Sequence, residues 1–126
     1  MKISEYFKTA KGTGLLATAD EKGKVDAAVY AAPHVIDEET IAFIMTDRLT
    51  HRNLQSNPHA AYIFMEEAQK KYGGKRLYLT KLREEKDSPL LGSIRRKEYP
   101  ELKGKEYLVF FRVEKELPLI GEGAES

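Results

Sequence analysis

The stretch IAFIMTDRLTHRNLQSNPHAAYIF, from Ile41 to Phe64, decides how the chain is read. Ile41 to Thr46 is a compact, mostly apolar run that fits a buried strand. DRLTHRNLQSNP, Asp47 to Pro58, changes character. Thr50 suits the N-cap of one or two helical turns through Ser56, and Asn57-Pro58 ends them because a residue before proline avoids helical backbone. HAAYIFME, His59 to Glu66, is a strand again, with Tyr62 and Phe64 alternating toward a core or a dimer face. A strand thus delivers Thr46, Arg48, Thr50, His51, Arg52 and Asn53 to the start of a short helix. A helix N-terminus has unpaired N–H groups and partial positive charge; with guanidinium groups and hydroxyls beside it, the set suits a phosphate monoester. The competing reading is an ordinary capped helix with solvated arginines.

Working outward, Ile3, Tyr6 and Phe7 have helical spacing, with Ser4 as cap and a stop near Gly12. Gly14 to Asp20 and Val25 to Ala32 form two arms of a hairpin that turns at Gly23. Pro33 marks an edge or bend, and His34 to Ile36 extends once more. Past a polar loop from Glu67 to Lys75, Arg76 to Glu84 alternates: Leu77, Leu79 and the stem of Lys81 face one way, Tyr78, Thr80 and Leu82 the other. Ser88-Pro89 opens a helix through about Lys97, with Leu90, Leu91 and Ile94 inward. Tyr107 to Val113 is the last strand. These short strands with few helices predict a mainly β fold, a six-stranded antiparallel barrel, closed or split. One domain spans residues 1–126, with 118–126 as a flexible tail.

Composition narrows the function. The 126 residues carry 21 Lys+Arg and 20 Asp+Glu, a net charge of +1 that offers no field for a polyanion, so no nucleic-acid partner is expected. The chain has no cysteine, which excludes disulfides, thiolate metal sites, iron–sulfur clusters and a Cys nucleophile. No run approaches the roughly 18 apolar residues of a membrane span, and none follows the first lysine, so a cytoplasmic protein is expected. His34, His51 and His59 lack metal-ligand spacing, so no metal is expected. His34 reads either as a proton donor or as a structural strand residue. IRRK, Ile94 to Lys97, reads as a solvated helix face. No P-loop, GxGxxG or nucleophile elbow occurs.

The segment Ile41 to Phe64 resembles the core of the pyridoxamine 5'-phosphate oxidase-like family, the FMN-binding split barrels. The order of the remaining elements agrees from about Ser4 to Val113. The resemblance implies a flavin-dependent oxidoreductase with FMN as cofactor. The alternatives are a non-catalytic FMN-binding or electron-transfer protein, or a split barrel for haem or a deazaflavin. It puts the phosphate on Arg48, Thr50 and Asn53, with His51 and Arg52 as further candidates, and the ring against Ala28, Val29, Tyr30, Ala31, Met45 and Thr46. It also implies a homodimer with FMN at the subunit interface, Arg76 or Tyr78 reaching across, and a small-molecule electron donor or acceptor. Two departures stand out. Thr50 occupies a position where the family commonly has Lys, and the chain has no Trp, whereas the true pyridoxamine phosphate oxidases carry one near the C-terminus.

Overall fold

The computed structural model describes residues 2–67, 73–95, 100–102 and 104–121. Its elements run α1 (Ile3–Thr9), β1 (Gly12–Ala19), β2 (Val25–Val29), β3 (His34–Asp37), β4 (Thr40–Thr46), α2 (Leu49–Ser56), β5 (His59–Glu66), β6 (Gly74–Lys86), α3 (Leu91–Ile94) and β7 (Glu106–Pro118). The strands form one sheet in the order β2-β1-β5-β6-β7-β4-β3. Every neighbouring pair is antiparallel. The class is as expected, but the described residues form seven strands rather than six. The extra one arises at Pro33, which lacks a ladder donor: the chain leaves β2 at Val29 and restarts as β3 at His34.

That restart dictates the shape. β2 and β3 are consecutive in sequence yet occupy opposite ends of the sheet. Seven flat strands would hold their outermost members about 29 Å apart. The link from Val29 to His34 can span at most about 18 Å when fully extended. The sheet must therefore curl until its two ends approach, a barrel split between β2 and β3.

The curl has a filled interior. Leu16, Ile41, Phe43, Met45, Tyr62, Phe64, Leu77, Leu79, Val109 and Phe111 are buried together. A second cluster, Ala42, Leu91, Leu108 and Phe110, lies on the other face of β4 and β7. Those two strands are covered on both sides, which is why IAFIMT and LVFF read as unbroken apolar runs rather than as alternation. The remaining outer face, on β2, β1, β5 and β6, carries a row in register: Ala27 opposes Ala17, which opposes Ala61, which opposes Tyr78. Val25, Val29 and Tyr78 there are exposed.

Several local readings change. Arg48, not Thr50, is the N-cap of α2, and its side chain makes no capping bond. The Ser4 hydroxyl and amide donate to the Glu38 carboxylate, and Lys2 stands at the N-cap of α1. α3 ends at Ile94, and its predicted inward Leu90 is exposed. Arg95, inside the predicted helix, is already extended, and residues 96–97, with the end of the tail, fall outside the described residues. No helix among the described residues is long and apolar enough to cross a membrane.

Gly14 sets the fit of the split. A Cβ there would stand 1.9 Å from the Tyr62 hydroxyl and 2.4 Å from the Tyr30 carbonyl oxygen. Gly14→Ala is expected to destabilise the fold by about 1–3 kcal/mol, the usual cost of overpacking, read from the urea midpoint at unchanged m-value. An unshifted midpoint would contradict this packing.

Candidate functional site

The link that closes the barrel also walls a cavity. Tyr62 is fully buried on β5, and its hydroxyl meets two carbonyl oxygens, those of Tyr30 at 3.0 Å and Ala31 at 2.9 Å. The Tyr30 amide donates to the Gly14 carbonyl at 2.9 Å. Fixed in this way, Tyr30, Ala31 and Ala32 face Phe43, Ile44, Met45 and Thr46 of β4 across a cavity of about 460 Å³. His34, Arg48, Arg95, Leu102 and Glu106 complete the wall. A volume of that size lies in the range of small-molecule sites.

The chain reverses from β4 into α2 at the edge of this cavity. The Arg48 amide donates to the Thr46 carbonyl at 2.8 Å, which turns the backbone before the helix starts. No acidic residue sits in the first turn of α2. The helix therefore presents its partial positive charge unopposed from within its own first turn. Thr50 is buried. Burial raises the Tyr30 pKa, against the lowering effects of Thr50 and of nearby Arg48.

The structure separates the sequence-derived residues into groups. Tyr30, Ala31, Met45, Thr46 and Arg48 line the cavity. Ala28 and Val29 belong to edge strand β2, where Val29 is exposed. His51 is buried behind α2, with Nδ1 at 3.0 Å from Asp47 and Nε2 at 3.0 Å from Glu84. Its ring stacks on Tyr107 at 4.0 Å. Arg52 is exposed and reaches Asp47. Asn53 is buried and donates to the Thr18 hydroxyl at 3.1 Å, tying α2 to β1. Arg76 donates to the carbonyls of Pro118 and Gly121. Four of these, His51, Arg52, Asn53 and Arg76, thus have protein partners away from the cavity wall.

Some wall residues were not singled out from the sequence. Ala32, Phe43 and Ile44 flank residues that were. Arg95 was read as part of a solvated face, yet its side chain is 10% exposed and paired with Glu106 at 7%. Only the fold shows this, because the pair joins α3 to the start of β7.

No family model matches the sequence, and no curated protein matches it. Solved structures do. An FMN-binding protein from Syntrophomonas wolfei subsp. wolfei superposes with a TM-score of 0.78 at 19% identity, over 95% of this chain and 85% of that one. An F420 reductase matches with a TM-score of 0.68 at 19% identity, over 83% and 88%. HutZ, the haem storage protein of Vibrio cholerae, matches with 0.63 at 22% identity, over 92% and 91%. The chain has the fold of the FMN-binding split barrels. That fold is shared by a protein described as FMN-binding and by one described as storing haem.

The charge cage around His51 has a measurable signature. Burial alone would raise the Glu84 pKa, but hydrogen bonds from Lys81, Gln55 and His51 outweigh it and hold the carboxyl down at about 2. A carboxyl depressed in the folded state adds stability that is complete above its unfolded value and disappears as pH falls through the folded one. Glu84→Gln is therefore expected to flatten the loss of stability between pH 4.5 and about 2. Urea titrations across that window check it; slopes equal to those of the parent would refute the cage.

Proposed function

We propose that the chain is a flavoprotein that holds FMN in this cavity and works in flavin redox chemistry as a homodimer. One observation carries the reading: a cavity of about 460 Å³ has Arg48 and the start of α2 at its edge, with small and apolar side chains along its walls. Arg48 and the first-turn amides of α2 suit the phosphate. Ala31 and Ala32 leave the backbone of the link close to a flat ring, where its polar groups can meet the ring's edge. Tyr62 keeps that backbone in place. His34 stands in the same wall and supplies a titratable group. Bound FMN supplies electron or hydride transfer to a small-molecule partner, while the chain supplies anchoring and orientation.

The fold relatives include an FMN-binding protein and an F420 reductase, which supports redox work at this site. The visible absorption spectrum of the purified protein, after adding FMN and desalting, tests the cofactor. Flavin bands retained at about one FMN per chain are expected, and a colourless protein would overturn the reading. Arg48→Ala is expected to weaken FMN binding by about tenfold or more, the scale of one charge-assisted contact, as measured by flavin fluorescence. Reduction of the bound FMN by a nicotinamide dinucleotide, followed by turnover with an acceptor, separates an enzyme from an electron carrier.

A haem-binding reading is favoured by the HutZ likeness together with the imidazole of His34 in the wall. A Soret band after haem addition, without flavin retention, would select it.

The alanine row on β2, β1 and β5 suits a second copy of the chain, because small side chains let two sheets approach closely and exclude water. Exposed Tyr78 stands at the end of that row. Ala27→Glu is expected to shift the protein from dimer to monomer in light scattering without loss of folding. A parent protein that is monomeric at micromolar concentration would remove the dimer from the proposal.

A further inference from the structure

The Arg95–Glu106 pair is the one ion pair in the cavity wall among the described residues, and its placement is unusual for a structural contact. Two buried charges rarely stabilise a fold more than apolar groups of the same volume would, since each loses its hydration. The neighbouring wall of Ile44 and Leu102 shows that apolar groups are accommodated in this place. Glu106 is the fixed member. It begins β7, pairs in register with Thr46, and its carbonyl accepts from the Asp87 amide at 2.8 Å. Arg95 is its partner. It follows the four-residue helix α3, and its Nε makes a long bond of 3.3 Å to the Leu91 carbonyl.

The pair also lies at the charged end of the cavity. Glu106 stands opposite Thr46, and Thr46 accepts from the amide of Arg48. Among the described residues, Arg48, Arg95 and Glu106 thus line the same cavity as Thr46 at the end of β4. A guanidinium can engage a carboxylate and a phosphate oxygen with different edges of its fork. The Glu106 carboxylate reduces the positive charge that a dianion would meet, and its removal would strengthen the attraction.

Building on the FMN reading, we infer that Arg95 is a second cationic contact for the ligand's phosphate and that Glu106 sets its strength. Together they make the site selective for a phosphorylated over an unphosphorylated flavin. A purely structural pair would affect both ligands alike.

The test compares dissociation constants of FMN and riboflavin, by flavin fluorescence, for the parent protein and for Arg95→Met, Arg95→Lys and Glu106→Gln. Arg95→Met is expected to weaken FMN binding about ten- to hundredfold while changing riboflavin binding by less than about twofold. Arg95→Lys should restore part of that loss, and Glu106→Gln should tighten FMN alone. Equal losses for both ligands, or FMN binding indifferent to Arg95, would overturn the inference while leaving the FMN reading intact. A parent protein that binds neither ligand would overturn both. If Arg95→Met fails to fold, Arg95→Lys and Glu106→Gln decide the matter by the same FMN-to-riboflavin ratio.

Discussion

The short link from Tyr30 to Pro33 is the constraint on which the architecture rests. It joins the first and last strands of a seven-stranded sheet, and a chain that short cannot do so unless the sheet curls. The Tyr62 hydroxyl, received into the space that Gly14 leaves open, pins the carbonyls of the link. The same few residues then form one wall of the cavity. Barrel closure and the shape of the site thus depend on the same contacts.

The sequence was most legible where burial is one-sided or complete. β5 and β6 alternate because one face meets the core, and β4 and β7 do not because both faces are covered. Strand count was harder, since Val25 to Ile36 is nearly continuous β-compatible sequence and Pro33 reads equally as a bend or a break. The jump across the sheet is a long-range fact that no local pattern carries. α3 is shorter than predicted, and Ser88 does accept from the Leu90 amide at 3.2 Å, so the capping signal was local truth without a long helix behind it.

The site shows the same division. Thr46, Arg48, Thr50, His51, Arg52 and Asn53 are neighbours in sequence, and a phosphate motif reads them together. A helix separates them, because 3.6 residues per turn sends successive side chains to different faces. Arg48 stays at the cavity, His51 enters a carboxylate cage, Asn53 ties down β1, and Arg52 stays in solvent. Arg95 went the other way: within IRRK it read as part of a solvated face, and the fold pairs it in the wall with Glu106, eleven positions on.

The position of β7 has a consequence for how the chain comes into being. β7 is last in sequence but sits inside the sheet, between β6 and β4. Until it arrives, β2-β1-β5-β6 is one ribbon and β4-β3 another, with no ladder between them. A ribosome emitting this chain releases two half-sheets with bare inner edges, and the final strand is the seam that unites them. Chaperone protection during synthesis therefore matters most until β7 has left the exit tunnel.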